Sequence, residues 1–356
     1  MKKLISLMLT LAFSVSVLAG CGADGPGEPA GSSSSESVMT EKASTEVQTT
    51  EASPSVDIKI AALKGPTAMG MVQFMSEAEA GTLTDHNYQF SIVASPDEVT
   101  PLLVQGKLDI AAVPANLASV LYNNTAGEIQ VLAINTLGVL YIVESGDSVS
   151  SVADLKGKTI YASGKGATPE YALNYMLAQN GIDPKTDVSI EWKSEHTECL
   201  SALMAEENAI AMLPQPFVTT AQTKSEKIRV ALDMTEEWNR LQDGNDHPSA
   251  LITGVVVGRK AFAEENPEAV SAFLTHYEAS VQYVNENTAD AAELVGAYGI
   301  VDSEIAKEAL PYCNITFIEG TEMKEKLSGY LDVLFRQNEK AVGGTIPGDD
   351  FYYSRG

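Results

Sequence analysis

Cysteine, arginine and positive charge are scarce in this chain of 356 residues. Its three cysteines, Cys21, Cys199 and Cys313, are too few and too scattered for a disulfide framework. The two in the body of the chain read as buried free thiols, with a single pairing as the alternative. Lys and Arg together number 23 against 48 Asp and Glu, for a net charge of -25, and losing Lys2 and Lys3 would make it more negative still. Such a chain repels nucleic acid and anionic lipid surfaces. Catalytic signatures are missing as well: there is no Gly-x-Ser-x-Gly elbow, no Gly-x-x-x-x-Gly-Lys-Ser/Thr phosphate loop and no internal repeat. The apolar run at residues 4–18 falls short of the roughly 20 residues a membrane-spanning helix needs.

What is present begins with that run. Lys2 and Lys3, the short apolar segment and the small residues Ala19 and Gly20 describe a secretory signal over residues 1–20. The sequence Leu18-Ala19-Gly20-Cys21 resembles the bacterial lipobox, which implies a lipidated Cys21 as the mature N-terminus and a protein held at the extracytoplasmic face of a bacterial membrane. Residues 21–56 are rich in Ser, Thr, Glu, Ala, Gly and Pro, cannot bury enough apolar surface to offset their ordering entropy, and read as a disordered tether.

The remaining 300 or so residues exceed a typical single core of about 100–150 residues, so two lobes are expected. Short apolar runs at residues 58–63, 88–94, 108–113 and 129–134 alternate with helical stretches, which implies parallel strands covered by helices. After Gly146-Asp147, Ser151 and Asp154 have capping-box spacing, and further strands are expected at 159–163, 188–192, 209–213 and 229–232. Thr168-Pro169-Glu170 has the order of a helix start, with Thr168 as N-cap. The apolar segment 251–258 is expected to return the chain to the first lobe. Lobe 1 is thus placed at 57–147 plus 250–356 and lobe 2 at 148–249, and the residues after about 284 read as helices.

Several stretches resemble the solute-binding proteins of ABC importers, nearest the nitrate, sulfonate, taurine and thiamine-precursor binding group. They are Leu63-Lys64-Gly65-Pro66-Thr67 after the first strand, Gly106-Lys107-Leu108-Asp109-Ile110-Ala111 with Pro114-Ala115-Asn116, Ser151 to Lys158 with its Asp-Leu-Lys-Gly-Lys core, and Leu213-Pro214-Gln215-Pro216. The resemblance implies an α/β fold of the type II periplasmic-binding class, two lobes joined by two crossovers with a ligand cleft between them. It also implies a monomeric receptor without cofactor, which captures a small solute and hands it to a permease and its ATPase subunits. The solute expected is a sulfonate-like anion or a heterocycle resembling a thiamine pyrimidine. An enzyme on the same fold is the alternative, though the Cys-rich motif of the thiamine-pyrimidine synthases is absent; a sensory lipoprotein is another.

Candidate ligand residues fall where strands end. Gly164 to Thr168 offers free N–H groups at a helix N-terminus, so Lys165, Gly166, Ala167 and Thr168 are candidates for holding an anion. Lys64, Thr67 and Met69 lie in the facing turn, and Ser95, Asn116, Leu137 and Gly138 at successive strand ends. Gln215 and Phe217 supply an amide and an aromatic face, Tyr171 a further ring, and His196 an imidazole. Glu195-His196-Thr197-Glu198-Cys199 has metal-ligating residue types but no second His at ligand spacing, so no metal site is expected. None of the five arginines falls in these turns, which argues against a guanidinium clamp on a carboxylate.

Overall fold

The computed structural model describes residues 54–244 and 249–355. The expected signal, the lipidation site Cys21 and the tether up to residue 53 lie outside them. The body starts slightly earlier than residue 57, because the Val56 amide donates to His86 Nδ1 at 3.3 Å and the Val56 carbonyl accepts from the Asn87 amide. No helix among the described residues is long and apolar enough to cross a membrane.

The expected alternation of strands and helices forms two mixed sheets. In chain order the strands are β1 (Asp57–Leu63), β2 (Asn87–Val93), β3 (Ile110–Pro114), β4 (Ile129–Leu137), β5 (Leu140–Glu144), β6 (Thr159–Ser163), β7 (Ser189–Lys193), β8 (Ile210–Pro214), β9 (Arg229–Asp233), β10 (Ile252–Arg259) and β11 (Ile315–Ile318). The first sheet has the order β11-β4-β10-β3-β1-β2 and the second β7-β6-β8-β5-β9. β1 pairs in parallel with β2 and β3, and β6 in parallel with β7 and β8, whereas β10 and β5 run antiparallel to their neighbours. The central strands are apolar along nearly their whole length because helices cover both faces.

The chain changes sheet between Leu137 and Leu140, not near residue 147 as the sequence suggested, because β5 already belongs to the second sheet. The crossing is tight because Gly138 is packed without room for a side chain. A Cβ there would lie 2.2 Å from Thr235 Oγ1 and 2.8 Å from Leu251 Cδ2. β10 returns to the first sheet at Ile252.

Two of the motifs are structural. Asp109 accepts from the Lys59 amide at 3.0 Å and pairs with Arg259 at 2.7 Å, tying β1, β3 and β10 together. Ser151 and Asp154 form the expected capping box, here on a short 3-10 turn at Val152–Leu155. One apolar cluster runs from Val113 and Ile134 of the first sheet to Ile142, Ile160 and Met212 of the second, by way of Trp238, Leu251 and Tyr330. Tyr330 lies on the helix Gly320–Gln337, which packs against both β4 and the helix Thr168–Gln179. Cys199 and Cys313 are buried free thiols.

Candidate functional site

Parallel strands in an α/β sheet present their C-terminal ends as the usual place for a ligand. The sequence candidates occupy these ends. In the second sheet, β6 ends at Ser163, and its hydroxyl lies 2.5 Å from His196 Nδ1, on the first turn of the helix His196–Ala205. Burial lowers the His196 pKa below its ordinary value, which favours the neutral ring. The imidazole sits 5.1 Å from the half-buried Phe217 ring. Gln215, 3% exposed, ends the same loop after β8. Its Oε1 accepts from the Thr219 amide and hydroxyl, and its backbone amide donates to Val139 O at the crossover. His196, Ser163 and Phe217 are therefore brought together, while Gln215, two residues before Phe217, is tied to Val139 at the crossover. Cys199 packs inward on the same helix as His196, and burial raises its thiol pKa.

In the first sheet, Thr67 is buried, donates to Leu63 O at 2.7 Å, and gives its carbonyl to Asn135 Nδ2 at 3.3 Å. Thr136 Oγ1 donates to Asn135 Oδ1. Gly254 on β10 passes directly beneath, where a Cβ would meet Thr67 Cγ2 at 2.5 Å and Asn135 Oδ1 at 2.6 Å. Asn116 is half-buried, with Nδ2 3.4 Å from Ala341 O. Lys64 is exposed. Ser95 caps the helix Pro96–Val104 by accepting from the Asp97 amide, and Glu98 Oε1 receives the amides of Ala94 and Ser95.

Four sequence expectations need correction. Met69 is fully buried among core side chains, with its sulfur 3.9 Å from Cys313 Sγ, so it contributes packing rather than a surface for a ligand. Tyr171 is also locked in place: Asn338 Nδ2 donates to its hydroxyl at 3.2 Å and Gln337 Nε2 to its carbonyl. Thr168 is not an N-cap. That position belongs to Ala167, without a side-chain bond, and the buried Thr168 hydroxyl meets Tyr330 OH at 3.1 Å. The turn itself is less open than expected, since the Gly166 amide already donates to Glu170 Oε2 at 2.6 Å while Lys165 and Gly166 are exposed. Gly166 does adopt positive φ, at 82°, where a side chain is strained.

Ser163, Asn135 and Thr136 escaped the sequence reading. Their signal was polarity inside or at the end of apolar strands: Asn135 and Thr136 are 1% and 0% exposed, and Ser163 is 2% exposed. A buried polar side chain needs a reason to be there, and here each is hydrogen-bonded at a strand end.

Residues 81–307, more than half of the chain, match the family described as ABC transporter, phosphonate, periplasmic substrate-binding protein. The chain belongs to this family. Solved structures share the fold. An ABC transporter from Parabacteroides distasonis is 24% identical, with a TM-score of 0.70, covering 84% of this chain and 99% of its own. The periplasmic aliphatic sulphonate binding protein SsuA from Escherichia coli is 14% identical, with a TM-score of 0.66, covering 85% and 94%. The periplasmic nitrate-binding protein NrtA from Synechocystis PCC 6803 is 16% identical, with a TM-score of 0.55, covering 83% and 84%. A comparison with curated proteins finds no significant match.

Proposed function

We propose that the chain is the lipid-anchored receptor of an ABC importer, which captures a small organic solute between its two sheets and delivers it to a permease driven by ATPase subunits. Its family is one of ABC-transporter substrate-binding proteins rather than enzymes. The observation that supports the reading is the grouping of Ser163, His196 and Phe217 at the strand ends of one sheet, with Gln215 bonded to Val139 at the crossover. The lobes are taken as 57–137 with 252–356, and 140–249. Closure would exclude water from the polar strand ends and strengthen their contacts with the solute. The solute is a sulfonate-like anion or a heterocycle resembling a thiamine pyrimidine, bound without cofactor by a monomer.

The strand-end turn after β6 gives a direct test. Gly166→Val should strain a positive-φ position and weaken solute binding, and Thr168→Ala should destabilise the unliganded protein by about 1 kcal/mol through loss of the Tyr330 bond. Lys165→Gln separates the solute classes. An anion should lose affinity and salt sensitivity together, whereas an uncharged solute should be unaffected. Calorimetric affinity measured beside unfolding of the unliganded protein checks all three. Unchanged affinity in every variant would remove this turn from the site.

The anchor is tested separately. Cys21→Ser is expected to release the protein into the medium or leave it unprocessed. A variant that stays membrane-bound at the mature size would refute lipidation at Cys21.

A further inference from the structure

The receptor reading leaves open what chemistry the solute offers to the protein, and the charges around the strand ends narrow it. All five arginines are already paired with carboxylates: Arg229 with Glu144, Arg240 with Glu236 and Glu237, Arg259 with Asp109, Arg336 with Asp332 and Arg355 with Glu319. Three of the helix starts at these strand ends are filled by the chain's own acids. Glu98 takes the Ala94 and Ser95 amides after β2, Glu170 the Gly166 amide after β6, and Glu198 the Ser194 amide after β7. Lys193 is paired with Glu191, and Lys64 and Lys165 are exposed. An oxyanion placed at any of these three starts would face a carboxylate where a phosphate site presents free N–H groups.

Donors without charge are available instead. His196 Nδ1 is engaged by Ser163, and Nε2 has no hydrogen-bond partner among the described residues. Gln215 commits its Oε1 to Thr219 and leaves its NH2 group likewise unpartnered. The Phe217 ring flanks the imidazole. With the Ser163 hydroxyl as donor to Nδ1, the ring proton sits on Nε2, which is the form that donates outward. The Cys199 thiol, kept protonated by burial, is hydrogen-bonded to Ser163, and an S–H donating to Ser163 Oγ leaves the hydroxyl proton for the ring.

We propose that Ser163, His196, Gln215 and Phe217 form a charge-free subsite that recognises an uncharged planar ring through its acceptor atoms, with Ser163 as the positioning residue for the imidazole. The proposal rests on the receptor reading above.

The test uses purified protein and two probe sets: uncharged heterocycles (pyrimidines, pyridones and purine bases) and small alkyl sulfonates and phosphonates. Calorimetry is expected to detect a heterocycle, with an affinity that stays constant between about 0.05 and 0.5 M salt. His196→Gln and Phe217→Leu should each weaken it at least about tenfold. Imidazole 15N NMR of the parent should show a neutral His196 in the Nε2–H form, and Ser163→Ala should mix the tautomers while leaving the fold intact by circular dichroism. That spectroscopic change is one that a purely structural serine would not produce. Binding of a sulfonate or phosphonate alone, or a cationic His196 at about pH 7, overturns the subsite and leaves the receptor standing. Binding by neither set overturns both.

Discussion

Trp238→Ala should lower stability by about 3–5 kcal/mol, among the largest losses expected of any single substitution in this chain. Trp238 is 1% exposed and its N–H donates to Ser249 Oγ at 3.0 Å. Ser249 in turn bonds Gln242 Oε1 just before the chain re-enters the first sheet. Its ring meets Tyr175 at 4.5 Å and Tyr330 at 5.7 Å, so it joins a helix of the second sheet, the returning crossover and the C-terminal helix in one cluster. Removal leaves a cavity at the place where three segments meet, and the rigid aromatic neighbours cannot collapse into it. Thermal unfolding followed by circular dichroism should show a fall of about 5–8 °C, with Trp238→Phe losing less. A fall under about 2 °C would mean that the cluster does not join these segments.

Glu144→Ala should destabilise by about 3 kcal/mol. The Glu144 side chain is fully buried at the end of β5, yet it is completely partnered: Ser148 donates through its amide and hydroxyl at 3.1 and 3.0 Å, Val149 through its amide at 3.1 Å, and Arg229 through Nη2. Alanine would leave those donors unpaired beneath the edge strand β9. The figure sits at the lower end of losses for broken buried ion pairs, because Arg229 is 40% exposed and would regain water. Glu144→Gln keeps the shape and one acceptor and should cost roughly half as much. Urea denaturation curves compare the two. A loss below about 1 kcal/mol for alanine would show that solvent replaces the carboxylate.

Where the fold was legible in the sequence, the signal was an isolated apolar run between turn residues. β6 was expected at 159–163 and occurs there, and β8, β9 and β10 differ from expectation by a residue or so. β5 was missed because only Gly138 and Val139 separate it from β4, so nothing marks the point where the chain leaves one sheet for the other. β11 was missed for a different reason. It is a four-residue edge strand with irregular pairing to β4, set between helices, and its period is too short to register. The segment Phe351-Tyr352-Tyr353 also ties the chain's end to the first sheet: Phe351 is fully buried and the Tyr353 amide donates to Val131 O on β4.

The site was legible as a set of turns, but not in its chemistry. Position after a strand marked His196, Gln215 and Phe217, and the fold sets the His196 and Phe217 rings 5.1 Å apart. Which hydrogen bonds each turn already makes depends on rotamers and on residues four positions away. Gly-Lys-Gly-Ala-Thr therefore read as an anion cradle, although Glu170 fills it. The same holds for Thr168, whose partner Tyr330 lies 162 positions along the chain.

The central claim is that this protein holds a small solute, and native mass spectrometry of the purified body, residues 54–356, measures that most directly. The account predicts a 1:1 adduct of one small organic molecule, released intact on denaturation and depleted by His196→Gln in a variant that still folds. A protein that carries no adduct and gains no thermal stability from any heterocycle, sulfonate or phosphonate, or one that returns its adduct chemically altered, would contradict it.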